Sequence, residues 1–200
     1  MKICLCTWDT PDYADLAAVS MPGKEEYCKR HGYKFEHCVT EKDDPHLGFE
    51  RMDVVRNLLP SYDLVLSVDT DAMIMNHTIR ADWLRSPMLA ISEDLLGLND
   101  GVFAMTNTPL AHQFMAVYMS MRQQGNSQQV LAHLLNMDLY GSATVKPPQK
   151  AMNAYRNELY GRPDWFTGNY EPGDWICQWP GMSKEQRIPL MEAALLEVIR

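Results

Sequence analysis

The chain of 200 residues lacks several features that would assign it to a simple class of protein. No apolar run reaches the roughly 18 residues of a membrane span, and the apolar start soon meets Asp9 and Pro11, so neither a span nor a signal peptide is expected. Basic residues are too few: 18 Lys and Arg stand against 26 Asp and Glu, a formal charge of −8. This balance argues against general nucleic-acid binding, which needs clustered positive charge.

Neither the cysteine spacing nor the search for sequence repeats assigns the chain to a zinc-binding, repeat or low-complexity class of protein. The five cysteines form no Cys-x-x-Cys pair and no zinc-ligand spacing, which predicts reduced thiols, a reducing compartment and hence a cytoplasmic protein. The chain also has no internal repeat, low-complexity segment or Gly/Ser-rich linker. With 46% apolar and 22% charged residues it has an ordinary globular composition, and we expect a single domain.

Strands and helices are predicted to alternate in the first part of the chain. Short apolar runs predict the strands and a 3.6-residue periodicity predicts the helices. The predicted order is strand 2–8, helix 12–31 with a break near Pro22-Gly23, strand 33–39, helix 48–59 and strand 64–68. Such alternation implies crossover connections and a mostly parallel sheet that is covered on both faces. The predicted fold class is therefore α/β.

The second part of the chain is less regular. Two further strands are predicted at 87–93 and 101–106, followed by helices that Thr108 and Ser127 would cap. Residues 138–174 are rich in Pro, Gly, Asn and aromatic residues, which predicts long loops of the kind that often carry function. A short strand at 175–178 and a helix opened by the capping box of Ser183 and Gln186 complete the pattern.

Asp69-Thr70-Asp71 is the feature with the most evident chemistry, because it ends a predicted buried strand. Ligands of open α/β sheets bind beyond the carboxyl ends of the strands. Two carboxylates two residues apart on an extended chain lie on the same side, with Cα atoms about 6.6 Å apart. They could hold Mg²⁺ or Mn²⁺, or one could hold the metal and the other a ribose. The alternative is a pair of turn-forming aspartates that cap the next segment.

Six segments in chain order resemble the motifs of one enzyme family. They are Tyr-Cys-Lys-Arg-His-Gly-Tyr at 27–33, Phe49-Glu50-Arg51, Asp69-Thr70-Asp71, Leu-Asn-Asp-Gly-Val-Phe-Ala-Met-Thr-Asn at 98–107, Met-Asn-Ala-Tyr at 152–155 and Gly-Asp-Trp-Ile-Cys-Gln-Trp-Pro-Gly at 173–181. The chain thus resembles the retaining GT-A glycosyltransferases that include fungal α-1,2-galactosyltransferases, α-1,6-mannosyltransferases and plant xyloglucan xylosyltransferases. The resemblance extends over about residues 2–188.

This resemblance implies a fold and an activity. The expected fold is GT-A, which is Rossmann-like, with residues 1–76 as the nucleotide-binding half and a loop-rich half, 77–200, for the donor sugar and the acceptor. The expected activity is metal-dependent transfer, with retention, of a hexose or pentose from a nucleotide sugar, by family habit a UDP sugar, to a hydroxyl of a glycan or another acceptor. Neither the acceptor nor the oligomeric state follows from the resemblance.

The resemblance also assigns roles to particular residues. Mn²⁺ or Mg²⁺ would be held by Asp69, Asp71 and, through its amide oxygen, Gln178, which stands where the family has a histidine. Gln128 or Gln129 would position the sugar, and Asn99 would contact the donor sugar or the acceptor. The expected nucleotide-sugar contacts are Thr7, Asp9, Tyr13, Arg51, Asp69, Gly101, Gln178, Gly181 and Lys184.

Two other functions remain open from the sequence. One is a non-catalytic module that binds a nucleotide sugar or a glycan, since Gln178 and Thr106 depart from the family motifs. The other is an Asp-x-Asp phosphohydrolase, although that chemistry usually places the aspartates after the first strand. Trp165 and Trp175 are candidates for stacking against a sugar ring.

Overall fold

The computed structural model describes residues 1–41, 47–156 and 168–200. The strands are β1 Ile3–Asp9, β2 Lys34–Val39, β3 Leu64–Val68, β4 Ala72–Ile74, β5 Leu89–Asp94, β6 Gly97–Thr106, β7 Thr144–Val145, β8 Ala154–Tyr155 and β9 Ile176–Gln178. The α-helices are α1 Ala14–His31, α2 Leu47–Leu58, α3 Pro109–Ser120, α4 Ser127–Leu135, α5 Asp138–Gly141, α6 Gln149–Met152 and α7 Lys184–Ala194. Short 3₁₀ turns cover Pro11–Tyr13, Leu59–Ser61, Ala81–Leu84 and Leu195–Glu197.

The main sheet has six strands in the order β2-β1-β3-β6-β5-β7. Only β6 runs antiparallel to its neighbours among these described strands, so the other five point the same way. A second sheet has the order β4-β9-β8, and its first strand, β4, follows β3 in the chain. The predicted mostly parallel α/β sheet is confirmed.

The middle strands of the main sheet are covered on both faces. All five residues of β3 are buried, as are six of the seven residues of β1. Such continuous apolar runs are typical of strands that are covered on both sides, where burial supplies most of the stabilisation. Helix α2 packs on β1 and β3, while α1 packs on β2, β4 and α7.

Helix α1 corrects the predicted break near Pro22-Gly23. It runs without interruption through both residues and ends at Gly32, whose φ of 70° is left-handed, as predicted for that cap. A proline inside a helix removes one hydrogen bond and costs about 3 kcal/mol. The buried face of α1 on either side of Pro22, including Leu16, Met21 and Tyr27, offsets that cost.

The predicted N-terminal caps of α3, α4 and α7 are correct or shifted by one residue. Thr108 caps α3 by accepting from the N–H of Ala111, and a capping box joins Ser183 to Gln186. The cap of α4 is Asn126 and not Ser127, because the Asn126 side chain accepts from the N–H of Gln129. These caps fix the first turns of α4 and α7, which lie close to the site described below.

Residues 138–174 contain more regular structure than predicted. In the described part of this range, four short elements, α5, β7, α6 and β8, interrupt the loops, and β8 joins the second sheet beside β9. Trp175 is buried against Tyr27 and so does not present its ring to a sugar, whereas Trp165 lies outside the described residues. None of the described helices is both long enough and apolar enough to cross a bilayer.

Candidate active site

A cavity of about 480 Å³ opens at the carboxyl ends of β1 and β3. It is lined by Trp8, Asp9, Thr10, Asp12, Tyr13, Gly48, Arg51, Asp69, Thr70, Asp71, Lys184 and Arg187. The Asp69-Thr70-Asp71 segment connects β3 to β4, and the N–H of Asp69 donates to the carbonyl of Gly101, 2.9 Å away. The two carboxylates therefore lie where the two sheets meet.

Asp69 is held between a guanidinium and an amide. Its Oδ1 lies 2.9 Å from Nη2 of Arg51, and its Oδ2 accepts from Nε2 of Gln178 at 3.2 Å. Burial raises the pKa of Asp69 well above its usual range, and the nearby Arg51 opposes this rise. Arg51 also donates to the carbonyl oxygen of Asp100 at 2.6 Å, which ties α2 to β6.

Asp71 has a similar pair of partners. Its Oδ1 accepts from Nε2 of Gln178 at 2.9 Å, and its Oδ2 lies 3.0 Å from Nη1 of Arg187. The Asp71 and Arg187 side chains are 10% and 12% exposed, so this ion pair is largely shielded from water. The sequence prediction missed Arg187, although the capping box at Ser183 places it in the first turns of α7, on the same helix as Lys184.

Lys24 is a second residue that the sequence prediction missed. It is fully buried on α1, and its Nζ donates to the backbone carbonyl of Asp69 at 2.7 Å. Burial lowers the pKa of Lys24 to about 7, although Asp69, Asp71 and Asp9 act in the opposite direction. A signal was available, because Lys24 falls at helical spacing among the buried residues of α1 and a lone lysine on such a face needs a partner.

Asp9 and Tyr13 line the far end of the cavity. Asp9 is almost fully buried and its Oδ2 lies 2.9 Å from Nε2 of His37 and 3.2 Å from the hydroxyl of Thr70. Tyr13 is 38% exposed, and Nζ of Lys184 lies 5.8 Å from the centroid of its ring. A carboxylate, an open aromatic ring and a lysine suit the recognition of a nucleoside.

Comparisons with known proteins bear on the family and the fold of the chain. Residues 9–84 match the galactosyl transferase GMA12/MNN10 family. This range contains three of the six motifs, including Asp69-Thr70-Asp71, so the resemblance is confirmed for this part of the chain. No curated protein sequence matches the chain.

Solved structures resemble the chain over nearly its whole length. A glycosyltransferase involved in glycosylation of the major capsid of PBCV-1 is 17% identical, with a TM-score of 0.75, over 96% of this chain and 100% of that one. The galactosyltransferase LgtC, in complex with donor and acceptor sugar analogs, is 12% identical, with a TM-score of 0.56, over 96% of this chain and 95% of that one. The glycosyltransferase GlyE of Streptococcus pneumoniae is 14% identical, with a TM-score of 0.61, over 100% of this chain and 61% of that one. The chain has the GT-A glycosyltransferase fold. Family match and fold together indicate a glycosyltransferase.

Six of the predicted site residues line the cavity of this GT-A fold. They are Asp9, Tyr13, Arg51, Asp69, Asp71 and Lys184. Thr7 does not, and the structure corrects its predicted role. It is fully buried and its hydroxyl donates to the carbonyl of Val68 at 2.8 Å, so it joins β1 to β3. Thr7 already fell inside the predicted strand 2–8, and β1, which continues to Asp9, keeps it within the sheet.

The predicted catalytic residues lie outside the cavity lining. Gln128 donates to the carbonyl of Leu98, and the Gln129 side chain closes the capping box of α4. The amide of Asn99 bonds to Asp94, to the N–H of Gly101 and to Asn153, so all its polar atoms have protein partners. Their catalytic roles stay predictions.

Gly101 and Gly181 also lie outside the lining, but Gly101 has a clear role. A Cβ atom at position 101 would come 2.5 Å from Nε2 and 2.6 Å from Oε1 of Gln178, so only glycine leaves room for that side chain. Gly181 has a φ of 71° in the turn before α7, which is the left-handed region that glycine adopts freely. Gly181 therefore helps to set where α7 begins.

The side chains present do not fit the expected metal ion as they are arranged. Gln178 was predicted to ligate through its oxygen, yet it turns its NH₂ group to both carboxylates and its oxygen to Asn153. Mg²⁺ and Mn²⁺ prefer oxygen ligands, and an amide NH₂ group directed at the site cannot coordinate a cation. Among the described residues, no three His, Cys, Asp or Glu side chains form a group that could hold a metal.

Proposed function

We propose that the chain transfers a hexose or pentose from a nucleotide sugar to a hydroxyl group of an acceptor. The observation that carries this proposal is the cavity itself: it joins Asp69 and Asp71 to Arg51, Lys184 and Arg187 at the carboxyl ends of β1 and β3. Three cations next to a nucleoside-sized recess suit a diphosphate between a base and a sugar. The GT-A fold and the family match at 9–84 support the same assignment.

Both halves of the chain contribute to this cavity. Residues 1–76 supply most of the lining, and we propose that they bind the nucleotide. Lys184 and Arg187 come from α7 in the 77–200 half and close the cavity from the other side. The rest of the 77–200 half, including the loops between 138 and 174, would then hold the donor sugar and the acceptor.

The proposed reaction is a transfer that retains the configuration at sugar C1. The bond between sugar C1 and the diphosphate oxygen breaks, the acceptor oxygen bonds to C1 on the same face, and its proton passes to the departing phosphate oxygen. The leaving group gains negative charge in this step. Guanidinium groups that are already fixed in place would stabilise that charge at little cost of reorganisation, which is the main source of catalysis here. We propose this role for Arg51 and Arg187, which both line the cavity.

The donor class is tested by thermal shift with UDP, GDP, ADP, CDP and dTDP, each with Mn²⁺ and with EDTA. A ligand at about 100 times its Kd stabilises the folded state by roughly 2.7 kcal/mol, so binding of one base is easily seen. By family habit we expect UDP. Hydrolysis of the matching nucleotide sugars then tests catalysis, and Asp71→Ala should abolish it.

Two results would contradict the proposal in different ways. Stabilisation by a nucleoside diphosphate, without hydrolysis or transfer across a full panel of donor sugars, would leave a nucleotide-sugar-binding module. Hydrolysis of a simple phosphomonoester, without any response to nucleoside diphosphates, would indicate a phosphohydrolase. Asp71→Ala must be checked for folding by circular dichroism, because it leaves Arg187 without its partner.

A further inference from the structure

The amide of Gln178 lies where a cation shared by Asp69 and Asp71 would have to lie. Its Nε2 is 3.2 Å from Asp69 Oδ2 and 2.9 Å from Asp71 Oδ1, so a single NH₂ group bridges the two carboxylates. The Gln178 side chain is almost fully buried on β9. An ion in contact with both carboxylates would therefore have to displace this amide.

The orientation of that amide is fixed by a chain of hydrogen bonds that starts at the backbone. The N–H of Gly101 can only donate, and it donates to Asn99 Oδ1 at 2.8 Å. The Asn153 Nδ2 donates to the same oxygen at 3.0 Å and to Gln178 Oε1 at 2.8 Å. Reversing the Gln178 amide would place NH₂ against NH₂ at Asn153 and oxygen against two carboxylates. Gln178 is thus held as a donor to the aspartates.

The remaining carboxylate oxygens also face donors. Arg51 occupies Asp69 Oδ1 and Arg187 occupies Asp71 Oδ2, at 2.9 and 3.0 Å. Lys24 donates to the backbone carbonyl of Asp69, so the Asp69-Thr70-Asp71 segment already contacts three basic side chains, two of them through its carboxylates. Both guanidinium groups line the cavity, and each has a buried Nε–H without a hydrogen-bond partner among the described residues. A ligand with several acceptor oxygens would satisfy donors of this kind.

We propose that Asp69 and Asp71 orient Arg51 and Arg187, and that these guanidinium groups neutralise the donor diphosphate without a divalent cation. This inference rests on the proposed function for the identity of the ligand. Guanidinium is permanently charged and presents a planar set of donors that matches phosphate oxygens. Gln178 completes the arrangement, because its NH₂ fills the position between the carboxylates.

The first test measures the metal directly on the intact protein without nucleotide. Electron paramagnetic resonance of added Mn²⁺ should show only free ion with the wild-type protein. The Gln178→His and Gln178→Glu variants replace the donor by a group that can ligate a metal, and we expect both to bind Mn²⁺. The Gln178→Glu variant places a third carboxylate beside those of Asp69 and Asp71, and without a metal these charges repel one another. Mn²⁺ should therefore raise the melting temperature of this variant and leave that of the wild type unchanged. Bound Mn²⁺ on the wild type would overturn the proposal.

The second test measures the nucleotide. The Kd of the preferred nucleoside diphosphate should change less than about threefold between excess Mn²⁺ and EDTA, a difference below about 0.7 kcal/mol. Loss of binding in EDTA would overturn the proposal. If no nucleoside diphosphate binds under either condition, the proposed function fails, while the Mn²⁺ spectra still decide whether the aspartates hold a metal. The two failures are therefore distinguishable.

Discussion

Gly101→Ala tests whether the Gln178 amide is held as the structure shows. The added Cβ would lie 2.5 Å from Nε2, 2.6 Å from Oε1 and 2.9 Å from Cδ of Gln178. The end of a free glutamine would simply move away. This one bonds to Asp69, Asp71 and Asn153, and it is almost fully buried, so retreat breaks hydrogen bonds in a packed interior.

The size of the effect follows from three contributions. Extra volume in a well-packed interior costs about 1–3 kcal/mol. The loss of one hydrogen bond to a charged group costs about 1.5–3 kcal/mol. Replacement of glycine by alanine restricts the unfolded chain and returns about 0.4–1 kcal/mol. Together these ranges predict that Gly101→Ala lowers the free energy of unfolding by about 1.5–5.5 kcal/mol.

Urea unfolding followed by tryptophan fluorescence measures this change, and Gly23→Ala is the matched control. Gly23 lies inside α1, and a Cβ there would meet no atom within 4 Å. Alanine is a better helix former, so this variant should gain about 0.5–1 kcal/mol. If Gly101→Ala also leaves stability unchanged or increases it, the amide is not constrained by its partners and the reasoning above is refuted.

Three further predictions concern residues around the same cavity. Arg187→Ala should raise the Kd of the nucleoside diphosphate at least tenfold, about 1.4 kcal/mol, in calorimetric titration, whereas Arg85→Ala, an exposed arginine away from the cavity, should not. Thr7→Val should lower the free energy of unfolding by about 1–3 kcal/mol, because it leaves the Val68 carbonyl without the hydroxyl donor of Thr7. The nucleotide Kd should stay unchanged, and a higher Kd would indicate that Thr7 belongs to the binding site. Lys24→Met tests the pH dependence of stability. Between the Lys24 pKa of about 7 in the folded protein and the ordinary 10.5, the unfolded state binds one more proton than the folded state, so the free energy of unfolding of the wild type should rise with pH by up to about 1.4 kcal/mol per pH unit relative to the variant. Parallel curves of stability against pH for the two proteins would contradict this.

The sequence by itself determined the main strands and helices of the first part of the chain and the position of the diaspartate. Periodicity is a local property, and it predicted β3 at 64–68 to the residue. Cap preferences are local too, so Gly32, Thr108 and the Ser183 box were predicted correctly. Family motifs, which record spacing along the chain, identified Arg51, Asp69 and Asp71 as neighbours of one site.

Only the tertiary structure decided which atoms of those residues meet. Whether Gln178 offers its oxygen or its NH₂ depends on Asn153 and Asn99, which are 25 and 79 positions away in the chain. The pairing of Arg187 with Asp71 spans 116 positions, and nothing in either local pattern encodes it. Donor and acceptor assignments are set by partners brought together by folding, and for that reason the sequence predicted a metal ligand where the structure holds a hydrogen-bond donor.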